Sequence, residues 1–126
     1  MDMRTPLSKV RGLGSAKEGT DHFWRQRLTA VANVPLILFF VIMVISLQGS
    51  DFETARTTLG NPFIAILMLL VILSGVYHMK LGMQVIIEDY IHGEFVKVAA
   101  LIGNTFFCAF IGLASIFAVL KISFGV

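Results

Sequence analysis

Three long apolar runs constrain what this chain can fold into. They cover about residues 28–47, 62–88 and 95–122, and they leave outside only a polar first segment, one polar loop and one short turn. A hydrocarbon core about 30 Å thick needs about 20 helical residues to cross it, and each run supplies that length. Because backbone polar groups must be satisfied within lipid, each run is predicted to be a transmembrane helix.

The composition agrees with this interpretation. Of the 126 residues, 56% are hydrophobic and 14% are charged, against roughly 25% charged residues in a soluble domain. The fold class is therefore predicted to be all-α, an integral membrane protein with a single membrane-anchor domain over residues 1–126. A net charge of +2 gives no indication of a nucleic-acid partner, and the single cysteine, Cys108, excludes an internal disulfide.

Local signals set the expected helix bounds. The first helix is predicted from Leu28 to Leu47, with Pro35 causing a kink or a broken turn near residues 32–34. A polar loop is expected at 48–61, and Pro62 occupies the position that prolines favour at the start of a helix. The second helix should reach about Asp89, followed by a turn at Ile91–Gly93 and a third helix from Glu94 to about Ile122.

The distribution of basic residues predicts the orientation. Six of them precede the first predicted span: Arg4, Lys9, Arg11, Lys17, Arg25 and Arg27. The first loop has only Arg56 and the second turn is followed by Lys97, so segment 1–27 is expected on the cytoplasmic side. With no targeting presequence in view, the chain is expected to be a multi-pass protein of a bacterial inner membrane.

His78 is the ionisable residue that most needs explanation. It lies about 24 Å into the second helix, where a charged side chain costs roughly 2.5 to 3.5 kcal/mol. Ser74 and Gly82 lie one turn to either side on the same face, which leaves room for a flat ligand. Asp89 is nearly on this face about 16 Å further along, and Tyr90 follows it at the membrane surface.

Haem iron is the cofactor chemistry that fits a buried imidazole beside small residues. The alternative is an imidazole hydrogen-bonded to a neighbouring helix. His22 and His92 fall outside the predicted spans, so a second axial ligand would come from another chain. The three helices are therefore expected to belong to a multi-subunit helical bundle.

The stretch His78-Met-Lys-Leu-Gly-Met-Gln-Val-Ile-Ile-Glu-Asp-Tyr90 resembles the small hydrophobic membrane anchor subunits of succinate dehydrogenase, respiratory complex II. The run from Gly14 to Ala30 is similar to that family's approach to its first helix. The resemblance implies that His78 is an axial ligand of haem b. It further implies that Tyr90 and Asp89 form part of a ubiquinone site, and that Arg27 and His22 lie near the haem propionates, with Arg25 competing with Arg27.

The same resemblance implies the partners of the chain. They are a second membrane anchor (cytochrome b) subunit, an iron–sulfur subunit and a flavoprotein subunit, together with membrane lipid. The chain has no Gly-rich dinucleotide fingerprint and no cysteine cluster, so it is not expected to be an enzyme alone. The alternatives are the anchor of a related fumarate reductase, a proton-relay or transport subunit using His78 and Asp89, and a purely structural assembly helper.

Other residues have simpler interpretations. Trp24 is expected to anchor the chain at the membrane interface, with a quinone contact as its alternative. Lys80 points about 200° away from His78 and is expected to reach the headgroups, with a propionate contact as its alternative. Small residues four apart in the third helix predict close helix contacts: Ala99 with Gly103, Cys108 with Gly112, and Ala114 with Ala118.

Overall fold

A computed structural model describes residues 5–12 and 18–125 of the chain. Arg4 and Lys17, which entered the charge argument, lie outside these residues. The described part contains five helices and no strand: α1 (Pro6–Val10), α2 (Glu18–Ser46), α3 (Phe52–Gly60), α4 (Pro62–Tyr90) and α5 (Glu94–Phe124). The predicted all-α class is confirmed.

Three of these helices are long and apolar enough to cross a membrane. They span Thr20–Ser46, Pro62–Tyr90 and Glu94–Phe124, and each contains an 18-residue stretch whose mean hydropathy is 2.6, 2.1 and 2.1, respectively. The helix α4 is central and packs against both α2 and α5. Later residues of α2 meet earlier residues of α4, as in the pairs Gln26–Gly82 and Thr29–His78, so α2 and α4 are antiparallel.

The first helix differs from the prediction in two ways. It begins at Glu18, ten residues before the expected start at Leu28, so Arg25 and Arg27 lie on the helix itself. The broken turn expected near residues 32–34 is wrong, because these residues and Pro35 are helical. Proline is tolerated within a transmembrane helix because neighbouring groups and local adjustments satisfy the carbonyl that it leaves free.

The expected loop at 48–61 is also wrong in part, since it contains α3. Asp51 caps this helix by accepting a hydrogen bond of 3.0 Å from the backbone N–H of Thr54. Hydrogen bonds from the side chain and backbone of Thr54 hold the pKa of Asp51 below its ordinary value. Asn61 ends α3 and, through its side chain, caps α4 by accepting from the N–H of Phe63, so Pro62 starts α4 as predicted.

The second turn and the third helix agree closely with the bounds predicted from the sequence. Residues 91–93 separate α4 from α5, and α5 begins at Glu94 as predicted and continues two residues past Ile122. A hydrogen bond of 3.0 Å from the side chain of Asn104 to the backbone carbonyl of Lys80 joins α5 to α4. An interhelical bond of this kind satisfies an amide that lipid could not.

One of the three pairs of small residues forms the predicted close contact. Cys108 and Gly112 are buried on α5, and a Cβ placed on Gly112 would lie 3.4 Å from Cγ1 of Val76 on α4. The other four residues are not buried on the single chain, so the predicted contacts are wrong for them within this subunit: Ala99, Gly103, Ala114 and Ala118.

We expect Gly112→Leu to destabilise the packing of α5 against α4. The added side chain would enter space already occupied by Val76, and overpacking of this kind costs about 1 to 3 kcal/mol. The matched control is Gly103→Leu, because nothing lies within 4 Å of a Cβ at that position on the same helix. Thermal unfolding of the purified assembly should show a lower midpoint for Gly112→Leu alone; equal midpoints would contradict this packing.

Little apolar surface is buried inside the single chain. The buried apolar side chains in the described ranges are Met43, Ala65, Leu81, Ile87 and Cys108. Large apolar side chains are exposed along all three long helices, among them Leu38, Leu73 and Phe110. Lipid or other subunits must cover this surface, because an exposed apolar area of this extent is not stable in water.

Candidate functional site

The polar groups inside the bundle gather where α2 meets α4. The ring of His78 lies on the α4 side, half-buried, with its Nδ1 3.0 Å from the hydroxyl oxygen of Thr29 on α2. Among the described residues, this hydroxyl is the only hydrogen-bond partner of the ring. The structure thus places His78 at a contact between two helices, with its Nε2 edge left without a partner in the described part of the chain.

Small residues flank His78 along α4. Gly75 precedes it by three residues and Gly82 follows it by four, so both lie near its face of the helix. A Cβ on Gly75 would meet nothing within 4 Å, and one on Gly82 would meet only Nε2 of Gln26, at 4.0 Å. The space beside the imidazole is therefore open to a flat group.

Two polar atoms near this contact have neither accessible surface nor a partner among the described residues. They are Nε2 of His22 on α2 and Oγ of Ser74 on α4. His22 precedes Thr29 by seven residues, which puts the two residues on nearly the same face of α2, about 10 Å apart along the axis. Buried polar atoms are normally hydrogen-bonded, so both atoms are suited to a group from outside this chain.

The two candidate arginines lie on different sides of α2. Arg25 donates a hydrogen bond of 3.3 Å to the hydroxyl of Tyr77 and pairs with Asp21 at 2.6 Å. It therefore points towards α4, next to His78. The guanidinium of Arg27 lies 4.2 Å from the ring centroid of Phe23, and Arg27 is about 160° from Thr29 around the helix.

Asp89 and Tyr90 form the last two residues of α4. Both side chains are exposed, Tyr90 to 77%. They lie about 16 and 18 Å from His78 along the axis. Because α2 and α4 are antiparallel, this end of α4 is the end where α2 begins, the end that carries His22 and Arg25.

The remaining candidates lie apart from this contact. Lys80 lines a groove of about 310 Å³ between α4 and α5, away from His78 as the helical wheel predicts. Trp24 is 65% exposed and makes an edge-to-face contact with Phe23. His92 is exposed in the turn between α4 and α5.

Sequence reasoning missed two residues of the site, Thr29 and Tyr77. Both are uncharged, and only the register between α2 and α4 brings them to His78 and Arg25. A threonine in a transmembrane helix ordinarily bonds back to its own helix. No signal in the sequence distinguishes Thr29 from Thr105, which bonds back to the carbonyl of Leu101.

The known proteins that this chain resembles all come from one family of membrane subunits. The family described as "Succinate dehydrogenase/Fumarate reductase transmembrane subunit" matches residues 1–120. The succinate dehydrogenase hydrophobic membrane anchor subunit of Paracoccus denitrificans is 34% identical over 121 residues, which cover 96% of this chain and 93% of that protein.

Two further relatives match a large part of the chain. The protein of the same name from Rickettsia bellii is 37% identical over 90 residues, covering 71% of this chain and 72% of its own length. The succinate dehydrogenase membrane anchor subunit of Reclinomonas americana is 36% identical over 90 residues, covering 68% and 73%. No solved structure matches the chain. The family match covers nearly the whole chain, and the three membrane-length helices and the relatives are consistent with it. The chain therefore belongs to the family of succinate dehydrogenase and fumarate reductase transmembrane subunits.

Proposed function

We propose that this anchor subunit helps to hold haem b, together with a second anchor subunit, and forms part of the ubiquinone-reduction site of succinate dehydrogenase. The relatives are named as membrane anchor subunits, so the chain is a non-catalytic part of the enzyme complex. The observation that carries the finer proposal is the imidazole of His78, held at Nδ1 by Thr29 and open at Nε2 beside two glycines.

The residues around His78 fit a haem. The ring supplies one nitrogen as an axial ligand, and Gly75 and Gly82 leave the adjacent helix surface free of side chains. When bound, haem b supplies a one-electron redox centre close to the quinone site. The task of the protein is to hold the ligand ring, exclude water and present polar groups to the haem edge.

Cationic groups at the start of α2 would hold the haem propionates. We propose Arg27 and His22 for this role, with Arg25 as the alternative to Arg27. The orientation of Arg25 towards Tyr77 on α4 favours Arg25 for contacts on the side of His78. Arg27 lies over Phe23 on another face and would reach a propionate only across the subunit boundary. The Nε2 of His22, buried without a partner among the described residues, supports its assignment.

Asp89 and Tyr90 would form this chain's part of the ubiquinone site. A tyrosine at the membrane surface keeps its ring in the apolar layer while its hydroxyl reaches a ligand. We propose that the hydroxyl of Tyr90 donates a hydrogen bond to a quinone carbonyl and that Asp89 helps to supply protons. The exposure of both side chains supports this assignment, since a bound quinone and another subunit could cover them.

The proposed assembly surrounds the chain with protein and lipid. The partners are a second anchor subunit, an iron–sulfur subunit and a flavoprotein subunit, and the broad apolar surface of α2, α4 and α5 supports contact with both an anchor subunit and lipid. We propose that the N-terminus faces the cytoplasm, an orientation that the distribution of basic residues supports. We further propose that the membrane is the inner membrane of a bacterium.

Purification through a tag on this chain tests the proposal as a whole. We expect a flavoprotein, an iron–sulfur protein and a second small membrane protein to elute with it in equal amounts. The purified material should show a reduced-minus-oxidised spectrum of haem b and should reduce ubiquinone with succinate. Elution of the chain without chromophore and without these subunits would contradict the proposal.

A further inference from the structure

We propose that Thr29 is a positioning residue for the haem ligand. Its hydroxyl oxygen accepts a hydrogen bond from Nδ1–H of His78 and so fixes the ring in the tautomer whose Nε2 has a free electron pair. The inference rests on the proposed function, because it assumes that His78 binds iron. It adds that a residue on α2, which does not touch iron, determines which ring nitrogen does.

The donors and acceptors around the Thr29 hydroxyl support this direction of the hydrogen bond. The hydroxyl oxygen lies 2.9 Å from the backbone carbonyl of Arg25, 3.0 Å from that of Gln26 and 3.0 Å from Nδ1 of His78. A hydroxyl has one proton to donate and two electron pairs to accept with. Two carbonyls can take the proton, and neither of them can donate one back. The arrangement that satisfies all the groups therefore has Nδ1–H donating to the hydroxyl.

The tautomer of His78 with its proton on Nε2 would leave that N–H without a hydrogen-bond partner in the described part of the chain. With the proton on Nε2, that N–H would point from the ring with no acceptor among the described residues. An unpaired donor is costly at bilayer depth. The arrangement with the proton on Nδ1 instead leaves Nε2 as an electron-pair donor, which is the form that a metal requires.

A histidine that binds a metal through one ring nitrogen becomes a stronger ligand when its other ring nitrogen donates a hydrogen bond. Such a bond fixes the orientation of the ring and raises its basicity, and loss of the partner typically lowers metal affinity roughly 10- to 100-fold. A more basic imidazole favours the more positively charged ferric iron. Loss of the Thr29 hydroxyl should therefore weaken haem binding and raise the midpoint potential of the haem.

The test compares Thr29→Val with Thr29→Ser in the intact purified complex. We expect the valine variant to bind haem at least tenfold more weakly, measured as haem retained per flavin during washing with a haem-binding competitor. Its haem midpoint potential should rise, by about 59 mV if ferric affinity falls tenfold more than ferrous affinity. The serine variant keeps the hydroxyl and should match the parent in both measurements.

Thr105→Val provides the matched control. Thr105 also bonds back to its own transmembrane helix, to the carbonyl of Leu101 at 3.0 Å, and bonds to no histidine among the described residues. Its replacement should change neither haem retention nor the potential. If the valine variant at position 29 does not assemble, the smaller Thr29→Ala removes the same hydroxyl without adding a branched methyl, and the same two measurements apply.

The outcomes separate this inference from the proposed function. Haem that is lost in His78→Ala, yet retained with an unchanged potential in Thr29→Val or Thr29→Ala, would overturn the role of Thr29 and leave the haem assignment intact. Haem that is unaffected by His78→Ala would overturn the proposed function itself. A changed potential in both Thr29→Val and Thr29→Ser would also overturn the inference, because the hydroxyl would not be the cause.

Discussion

Replacing His78 by alanine is expected to remove haem b from the assembled complex. Alanine supplies no ligand, and the described part of α4 offers no second histidine near this position. A single remaining bond from the partner subunit would hold the haem weakly. The reduced-minus-oxidised absorbance of haem b, normalised to flavin, should fall at least tenfold, in line with the dependence of metal sites on each ligand.

The control for this variant is His92→Ala. His92 is exposed in the turn between α4 and α5, and it should be replaceable without loss of haem. Oxidation of succinate with a water-soluble dye as electron acceptor should persist in both variants, because this chain is a non-catalytic anchor of the complex. A normal haem spectrum in His78→Ala would contradict the assignment and favour the alternative of an imidazole that serves only to join two helices.

Replacing Tyr90 by phenylalanine is expected to slow the reduction of ubiquinone roughly a hundredfold, the lower end of the range for losing one hydrogen-bond donor to an oxygen that gains negative charge. The change removes one hydroxyl and keeps the ring, so the packing at the end of α4 should be preserved. Tyr90 is 77% exposed on the single chain and makes no hydrogen bond to any other described residue, so its hydroxyl is free to serve a ligand. The measurement is succinate-dependent reduction of a short-chain ubiquinone by the purified complex.

Two controls define what this second result means. Dye reduction should be unchanged in Tyr90→Phe, which would locate the defect at the quinone and not at succinate. His92→Gln, two residues further along, should keep full quinone reduction. Equal rates for Tyr90→Phe and the parent would contradict the role of the hydroxyl and support a purely structural function for this end of the chain.

The three spans could be predicted because membrane insertion depends mainly on composition and length. The short helix α3 could not be predicted in the same way, since its residues Phe52–Gly60 are of mixed polarity and its stability depends on packing against α4 and α5. Its cap at Asp51 was visible in the sequence, but a cap alone does not separate a helix from a loop. The prediction placed the start of α2 at Leu28 because the sequence changes there from polar to apolar. The backbone is already helical before that residue, from Glu18 onwards.

For the site, the sequence predicted which residues share a face of one helix, but it did not predict which residues of two helices are in contact. The spacing of His78, Gly82 and Asp89 follows from 100° per residue and needs no tertiary information. The contact of Thr29 with His78 depends on how far α2 slides along α4, which no local pattern fixes. For the same reason, the sequence left Arg25 and Arg27 as equals, whereas the packing of Tyr77 distinguishes them.

Haem ligation by His78 is tested most directly by an experimental structure of the complex purified through this chain. We expect a haem between α4 and a helix of the second anchor subunit, with iron bound to Nε2 of His78 and with Nδ1 still facing Thr29. A map in which the His78 ring contacts only protein or lipid, with any haem ligated elsewhere, would contradict it.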